Sequence, residues 1–146
     1  MDRGEGGGGM IEIRELTPEN AALLDNVAED VFDAPIHPER LARYAAEPGH
    51  LMLLALDGDR VVGQIRAVVH FHPDEPAQLY IDNLGVSPSW QRRGIARRLI
   101  GAMLERGRAQ GCEAAWVGTE MDNDAANALY RAWARGEPFF LYQWKV

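Results

Sequence analysis

The sequence predicts a mixed α/β fold in which one sheet carries helices on its faces. Strand-like and helix-like patterns follow one another in the order β-α-α-β-β-β-α-β-α-β, and no segment repeats another. The 146 residues suit a single core, and a hydrophobic fraction of 47% with a charged fraction of 25% is ordinary for a globular protein. We therefore expect one domain over residues 10–146, preceded by a flexible glycine-rich tail at residues 1–9.

The first half of the chain predicts three strands and two helices. The segment MIEIREL alternates apolar and charged residues, as a half-buried strand does, and Thr17 followed by Pro18 starts a helix. Apolar residues at helical spacing extend that helix to Phe32, and Asp57-Gly58-Asp59-Arg60 is typical of a hairpin turn. The predicted strands are 10–16, 51–56 and 60–71, and the predicted helices are 17–32 and 38–46.

The second half predicts three more strands and two more helices. A helix with a continuous apolar stripe follows the first of these strands, and Asp122 or Asn123 caps the last helix. Gly136 and Pro138 end that helix, because both residues are unfavourable in a helix interior. The predicted strands are 78–86, 113–119 and 139–146, and the predicted helices are 94–110 and 122–133.

Six residues, Gln91-Arg92-Arg93-Gly94-Ile95-Ala96, follow the strand at 78–86 and include the start of the helix at 94–110. A glycine at such a turn leaves backbone N–H groups free to point at an anion, and the helix dipole and the arginines add positive charge. The pattern therefore predicts a pyrophosphate site. Neither Gly-Lys-Ser/Thr nor Gly-x-Gly-x-x-Gly occurs, which disfavours nucleoside-triphosphate and dinucleotide loops.

Charge and cysteine content restrict the partners and the compartment. The net charge of −7 disfavours nucleic acid, because binding to a phosphate backbone needs a basic face. Cys112 is the only cysteine, which fits a reducing compartment, and no apolar run reaches the roughly 18 residues of a membrane span. We therefore expect a cytoplasmic protein that contacts neither nucleic acid nor membrane. Trp116, Trp133 and Trp144 are expected in the core or at the contacts of a homodimer.

Three motifs together resemble one known family. The loop at 91–96 resembles the (Gln/Arg)-x-x-Gly-x-(Gly/Ala) motif that opens the helix after the fourth strand of the GCN5-related N-acetyltransferases (GNAT). Ile81-Asp-Asn-Leu-Gly-Val86 resembles that strand, and Asn123-Asp-Ala-Ala-Asn-Ala-Leu-Tyr130 matches the family's Asn-x-x-Ala-x-x-Leu-Tyr. The match covers most of residues 10–146, and the strand and the loop also resemble the aminoglycoside 3-N-acetyltransferase branch.

This resemblance implies a fold and an activity. The fold is a GNAT-like, mostly antiparallel sheet of six to seven strands flanked by about four helices, with the sixth strand missing or very short here. The activity is transfer of acetyl from acetyl-CoA to a primary amine, such as an aminoglycoside, a polyamine or another small amine, by direct attack in a ternary complex. The alternatives are a non-catalytic acyl-CoA-binding or regulatory module and a protein-directed acetyltransferase. No metal is expected, because His70 and His72 share a strand face without a third ligand.

The resemblance places cofactor contacts on three segments. Backbone groups at Leu84 and Val86 are expected to meet the pantetheine and the thioester, while Gly85 either permits a bulge or makes room for a neighbouring side chain. Asn123 caps its helix and contacts the cofactor, and Tyr130 also lies at the cofactor. The residues expected to hold the pyrophosphate are Gln91, Arg92, Arg93, Gly94, Ile95 and Ala96.

Acetyl transfer also needs a base and an acid. The incoming ammonium has a pKa of about 10, and the candidate bases are Asp82, Glu120 and, less favoured, Tyr80. Tyr130 is the candidate acid for the leaving thiolate, whose pKa is roughly 8.5. The structural alternatives are an ion pair between Asp82 and an arginine, and a Tyr130 that only packs in the core. The aminoglycoside branch carries its aspartate where this chain has Asn83, and one step along a strand reverses the face.

Overall fold

The structure, a computed structural model, describes residues 10–146, so the predicted tail at residues 1–9 lies outside the described residues. It contains five strands, Ile11–Glu15 (β1), His50–Asp57 (β2), Arg60–His70 (β3), Gln78–Val86 (β4) and Ala114–Val117 (β5). The helices are the α-helices Pro38–Ala46 (α1), Ile95–Ala109 (α2) and Asp124–Arg131 (α3), and the short 3-10 helices Pro18–Asp25 and Pro88–Trp90.

The strands form one sheet in the order β1-β2-β3-β4-β5. Neighbouring strands are antiparallel except β4 and β5, which are parallel. The connection between these two strands contains α2, which returns the chain to the end of the sheet at which β4 begins. The predicted mixed α/β fold with a mostly antiparallel sheet is confirmed. The described sheet has five strands, whereas six to seven were expected.

Helices and loops cover both faces of the sheet. On one face, Ile95 and Leu99 of α2 lie over Gly63 of β3, where an added Cβ would come within 3.4 Å of both side chains. The next residue, Gln64, points to the opposite face, because successive strand residues alternate, and there it bonds to the backbone of Val31 in the segment between β1 and β2. None of the helices within residues 10–146 has the length and apolar character needed to cross a membrane.

The helix predicted over 17–32 is wrong beyond its first turns. The structure has the 3-10 helix Pro18–Asp25, after which the chain pairs with β3. The N–H of Val61 donates to the carbonyl of Asn26 at 2.9 Å, and the N–H of Ala28 donates to the carbonyl of Val61 at 2.8 Å. These bonds use the backbone groups that a continuing helix would need, while the apolar residues of the segment still face the sheet.

The strand predicted at 139–146 does not form in the described chain. The segment follows α3, pairs with none of the described strands and exposes most of its large apolar side chains. A strand needs a neighbour for its N–H and C=O groups, and β propensity alone does not supply one.

Candidate active site

The site begins where β4 and β5 part. The two strands pair in parallel from Gln78 and Ala114 to Ile81 and Val117, and β5 ends there. β4 continues for five more residues, paired only with β3 on its other side. From Asp82 onward, the edge of β4 that faces away from β3 is therefore unpaired among the described residues. Its N–H and C=O groups can bind an extended ligand as a further strand would.

A β-bulge lies at Asp82. Arg66 of β3 pairs with Asn83 and the next residue, Ala67, pairs with Ile81, so Asp82 is the extra residue of β4. Asp82 Oδ1 lies 3.6 Å from Nε of Arg66, and Asn83 Oδ1 accepts a hydrogen bond of 2.6 Å from a side chain on that same face of β3. The bulge therefore places the side chains of Asp82 and Asn83 on the same face of the sheet. In a regular strand, two consecutive side chains would lie on opposite faces.

The structural alternative for Asp82, an ion pair with an arginine, is present in the structure. Both the Arg66 and the Asp82 side chains are about one-third exposed, and a partly exposed pair of this kind contributes roughly 0–1 kcal/mol. Such a weak pair leaves the carboxylate able to exchange partners. Tyr44 of α1 lies close enough to feel both charges, but burial is the main cause that raises its pKa to about 12. Its hydroxyl donates to the carbonyl of Leu51 at 3.0 Å, which fastens α1 to β2.

An aromatic pair lies one position before the last paired residues of β4 and β5. The rings of Tyr80 and Trp116 stack with centroids 4.2 Å apart and planes inclined by 23°. Tyr80 lies two residues before Asp82 on the same face, and Trp116 is exposed. A cationic amine that approaches the split from this face meets an aromatic surface and a carboxylate, the two groups that attract cations in proteins.

Gly85 serves close packing, and the bulge expected there lies three residues earlier, at Asp82. A Cβ built on Gly85 would collide with the carbonyl oxygen of Val31 and would lie 3.4 Å from Nε2 of Gln64. Gly85 therefore makes room for the backbone of Val31, and not only for a neighbouring side chain as expected. The glycine lets the segment before α1 press directly onto β4.

Gln64 is a site residue that the sequence analysis missed. It is fully buried, and its Nε2 donates to the Val31 carbonyl at 3.2 Å and to Asn83 Oδ1 at 2.6 Å. Asn83 Nδ2 in turn donates to Asp33 Oδ2 at 3.5 Å. These bonds join the segment before α1 to the bulged part of β4. The available signal was one amide in an otherwise apolar strand, Val61-Val-Gly-Gln-Ile65, because a buried polar side chain needs partners.

The loop at 91–96 turns the chain from β4 into α2. Gln91 Nε2 donates to the Val86 carbonyl at 2.9 Å, which ties the loop to the end of β4. Arg92 and Gly94 have positive φ values of 65° and 79°, and Gly94 is the N-cap residue of α2. A positive φ at a non-glycine residue costs of order 1 kcal/mol and is found most often at ligand-binding sites.

This loop presents backbone N–H groups and arginine side chains that can meet an anion. The backbone N–H groups of residues 92–97 have no acceptor within residues 10–146, as expected for the start of a helix. A Cβ added at Gly94 would meet nothing within 4 Å, and the side chains of Arg92 and Arg93 are exposed. Ile95 is buried in the core and Ala96 is half-buried, so these two residues can contribute only backbone groups.

The start of α3 is held by two asparagines. Asn123 Oδ1 accepts from the N–H of Ala126 at 3.1 Å, so the predicted N-cap is confirmed. Asn127, which the sequence analysis passed over, donates through Nδ2 to the carbonyls of Glu120 at 3.1 Å and Asn123 at 2.9 Å. The Glu120 side chain is exposed, and its backbone belongs to the turn that these bonds hold. Asn123 therefore serves the helix first, and a cofactor contact would come in addition.

Tyr130 lies on the last turn of α3, half-buried against the core. Burial raises the pKa of its phenol above the ordinary value, so the hydroxyl stays protonated at physiological pH. Trp133, one turn later, lies 3.4 Å from where Gly101 of α2 would carry a Cβ, which places α3 beside α2. The candidate acid and bases lie on different parts of the fold: Tyr130 on α3, Asp82 on β4 and Glu120 in the turn before α3. Within residues 10–146, no hydrogen bond joins Tyr130 to either carboxylate.

The mixed sheet that parts between β4 and β5, and the loop that opens α2, give the chain the fold of an acyltransferase. The model of the acetyltransferase (GNAT) family matches residues 14–134. The chain belongs to this family and is an acyl-CoA-dependent N-acetyltransferase.

Two relatives are acetyltransferases. The chain is 30% identical over 124 residues to the N-alpha-acetyltransferase RimI of Mycobacterium tuberculosis. This alignment covers 84% of this chain and 76% of that protein. It is 37% identical over 90 residues to the mycothiol acetyltransferase of Rhodococcus erythropolis, which covers 60% of this chain and 28% of that longer enzyme.

Solved structures share the fold at lower identity. An aminoglycoside acetyltransferase from an uncultured soil metagenomic sample superposes with a TM-score of 0.80 at 24% identity, covering 94% of this chain and 99% of that one. The aminoglycoside N-acetyltransferase AAC(6')-Iy in complex with CoA superposes with a TM-score of 0.77 at 17% identity, covering 95% and 97%. These likenesses establish the fold.

Proposed function

We propose that the chain transfers acetyl from acetyl-CoA directly to the primary amine of a small molecule, with both substrates bound at once. The observation that carries the proposal is the unpaired edge of β4 from Asp82 to Val86, which leads through the Gln91 bond into the loop at 91–96. One continuous surface therefore offers strand-like hydrogen bonds and then an anion site. This order suits an acyl-CoA, whose pantetheine carries amides and whose other end carries phosphates.

Each candidate residue receives a role that its position supports. Acetyl-CoA supplies an activated thioester as the acyl donor. Backbone groups at Leu84 and Val86 bind the pantetheine and stabilise the oxygen that gains charge during transfer, an effect worth roughly 3 kcal/mol. Asp82 accepts the proton of the incoming ammonium, directly or through water, with Glu120 as the alternative base. Tyr130 donates a hydrogen bond to the departing sulfur, since its phenol stays protonated.

The acceptor that the site supports best is a cationic small amine such as an aminoglycoside or a polyamine. The net charge of −7 favours approach of a cation, and the exposed Trp116 ring, stacked on Tyr80 beside Asp82, offers it a surface. A second acceptor class, the N-terminal amine of a protein, is favoured by the likeness to RimI over 84% of the chain. In either case we propose a cytoplasmic homodimer that uses no metal, nucleic acid or membrane.

Calorimetric titration followed by an acceptor panel tests this proposal. Acetyl-CoA is expected to bind with a micromolar dissociation constant, and absence of binding at high micromolar concentration would contradict the proposed site. Free CoA is then measured as acetyl-CoA is mixed with an aminoglycoside, a polyamine or a peptide with a free N-terminus. Release of CoA with the aminoglycoside or the polyamine supports a small-amine acceptor. Release of CoA with the peptide alone supports the N-terminal amine of a protein as the acceptor. Tight binding without release in any mixture is the result expected of a non-catalytic module.

Tyr130→Phe is expected to lower kcat by about 10- to 100-fold, because the variant loses the hydroxyl that meets the leaving sulfur. The affinity for acetyl-CoA should change less than about twofold, since the aromatic ring remains. Steady-state kinetics and calorimetry on the same preparation separate the two effects. An unchanged kcat would assign Tyr130 to core packing alone.

Asp82→Asn is expected to lower kcat/KM for the amine about 100-fold or more, since a positioned general base typically contributes about 100- to 10,000-fold. Glu120→Gln serves as the comparison and should stay within about threefold. Arg66→Gln breaks the same ion pair while leaving the carboxylate in place. Equal losses for Asp82→Asn and Arg66→Gln would show that the pair, and not the base, matters, while a loss confined to Glu120→Gln would move the base to that residue.

A further inference from the structure

The segment between the first 3-10 helix and α1 carries acidic residues without a neighbouring cation. Glu29, Asp30 and Asp33 are all exposed, and no lysine or arginine occurs from residue 15 to residue 39. None of the ion pairs within residues 10–146 involves these three carboxylates. Their number alone identifies no ligand, because acidic surface residues also serve solubility.

Asp33 differs from the other two because a relay of side-chain amides holds it. The relay starts at the Val31 carbonyl, which accepts from Nε2 of the fully buried Gln64 at 3.2 Å. The same nitrogen donates to Asn83 Oδ1 at 2.6 Å. Asn83 Nδ2 then donates to Asp33 Oδ2 at 3.5 Å. The relay therefore connects the core of the sheet to one exposed carboxylate.

The direction of each amide in the relay is fixed. A backbone carbonyl can only accept, so the nitrogen of Gln64 has to face Val31. That nitrogen also faces the oxygen of Asn83, which leaves the Asn83 nitrogen for Asp33. The arrangement persists although Gln64 Oε1 has no partner within residues 10–146, because a reversed amide would set two oxygens against each other. Asp33 therefore receives a neutral donor, and its negative charge is not compensated by the relay.

The bond from Asn83 orients the Asp33 carboxylate without filling it. A length of 3.5 Å is at the long limit for a hydrogen bond, so this contact is weak. An ionised carboxylate can accept about four hydrogen bonds, and an ammonium group offers three donors and a full positive charge. The carboxylate is therefore placed to bind an ammonium group in addition to Asn83.

Asp33 lies close to the candidate base. Asn83, to which it bonds, directly follows Asp82 in the chain, and the bulge places both side chains on the same face of the sheet. An acceptor whose reacting amine lies at Asp82 therefore has a second carboxylate within reach of its remaining part. A monoamine would leave that carboxylate to water.

We propose that Asp33 is a specificity-determining residue that binds a second ammonium group of the acceptor. The acceptor is then a small molecule with two amines a few bonds apart, rather than a monoamine. This inference rests on the proposed acetyl transfer at Asp82 and adds the feature by which the acceptor is selected. We expect a preference of about tenfold, the lower end of what hydrogen bonds to charged groups contribute, because Asp33 is exposed.

Release of CoA from acetyl-CoA with matched pairs of amines tests the preference. The pairs run from 1,3-diaminopropane with propylamine to 1,6-diaminohexane with hexylamine. For at least one chain length, the wild-type kcat/KM is expected to be about tenfold or more higher for the diamine. Asp33→Asn should reduce this ratio to about two, the statistical factor for two equivalent amines. Asp33→Glu keeps the charge one methylene further out, so a preference should remain but shift to another chain length.

Asp30→Asn is the matched control for Asp33→Asn. It removes the same charge from the same exposed segment, and asparagine tolerates the positive φ of 62° at this position. The ratio between diamine and monoamine should change less than about twofold, because Asp30 lies outside the relay. Equal falls for the two variants would show a general effect of charge and overturn the proposal. A wild-type protein that acetylates both kinds of amine equally at every length would also overturn it, while acetyl transfer would stand.

Calorimetry with CoA in place of acetyl-CoA separates this inference from the proposed function. The preferred diamine is expected to bind the wild-type complex with CoA about tenfold more tightly than the Asp33→Asn complex. Melting temperatures of the two proteins should agree within about 2 °C, since the substituted side chain is exposed. This difference in affinity without CoA release from any amine would contradict acetyl transfer and keep the ammonium site at Asp33. Equal affinities of the two proteins for every diamine, or CoA release with a peptide and with none of the diamines, would overturn the role of Asp33.

Discussion

Gly94→Asp is expected to lower the affinity for acetyl-CoA about 100-fold or more while the protein stays folded. The new carboxylate would stand at the N-terminus of α2, where the pyrophosphate is expected to bind, and two negative charges about 5 Å apart repel each other by roughly 3 kcal/mol near a protein surface. Space is not the obstacle, because an added Cβ at Gly94 would meet nothing within 4 Å. Aspartate, like asparagine, visits the left-handed region more readily than most residues, so α2 should keep its start.

Gly94→Asn is the matched control for this substitution. Asparagine has nearly the same size, carries no charge and tolerates the positive φ of 79° better than most residues. Calorimetry should therefore show a large loss for the aspartate and a small loss for the asparagine, with similar melting temperatures for both. Equal and large losses would mean that bulk closes the loop, and two unchanged affinities would place the pyrophosphate elsewhere.

Among the glycine-to-alanine changes within residues 10–146, Gly85→Ala is expected to destabilise the protein most. The added Cβ would run into the Val31 carbonyl oxygen, which is backbone and cannot rotate away, and it would crowd the Gln64 amide that bonds to the same oxygen. Overpacking of a tight contact costs about 1–3 kcal/mol, which lowers the melting temperature by roughly 3–10 °C in a domain of this size.

Gly136→Ala is the control for Gly85→Ala. It makes the same chemical change at a position where an added Cβ would meet nothing within 4 Å. Its melting temperature should lie within about 2 °C of wild type, since surface changes are usually within 0.5 kcal/mol. If Gly85→Ala melted like Gly136→Ala, the segment before α1 would be able to lift from β4 at little cost, and the Gln64 bonds would not fix its position.

Local signals predicted the centre of the chain well. β4 begins and ends at the predicted residues, α2 lies within the predicted helix, and Asn123 caps α3 as expected. These elements depend on short-range rules: alternation of apolar and polar side chains along a strand, a glycine at a helix start, and a side chain that accepts from the N–H three residues later. The motif at 91–96 was predictable for the same reason, because the six residues that form the loop are consecutive.

Predictions that needed a distant partner were wrong. The spacing of apolar residues to Phe32 was helical, yet Asn26 and Ala28 bond to Val61 of β3, and this pairing ended the helix. The segment at 139–146 had strand propensity but found no partner in its own chain. Gln64 could be recognised as unusual in an apolar strand, but its partners Val31 and Asn83 lie 33 and 19 residues away.

The sequence by itself determined the family, the position of the loop at 91–96 and the order of most strands and helices, because those features depend on residues close together in the chain. Tertiary structure alone decided where β4 and β5 part, that the bulge at Asp82 sets Asp82 and Asn83 on one face, and that Gly85 gives room to the Val31 backbone. The physical reason is register: which residue opposes which across two strands is set by packing over the whole sheet.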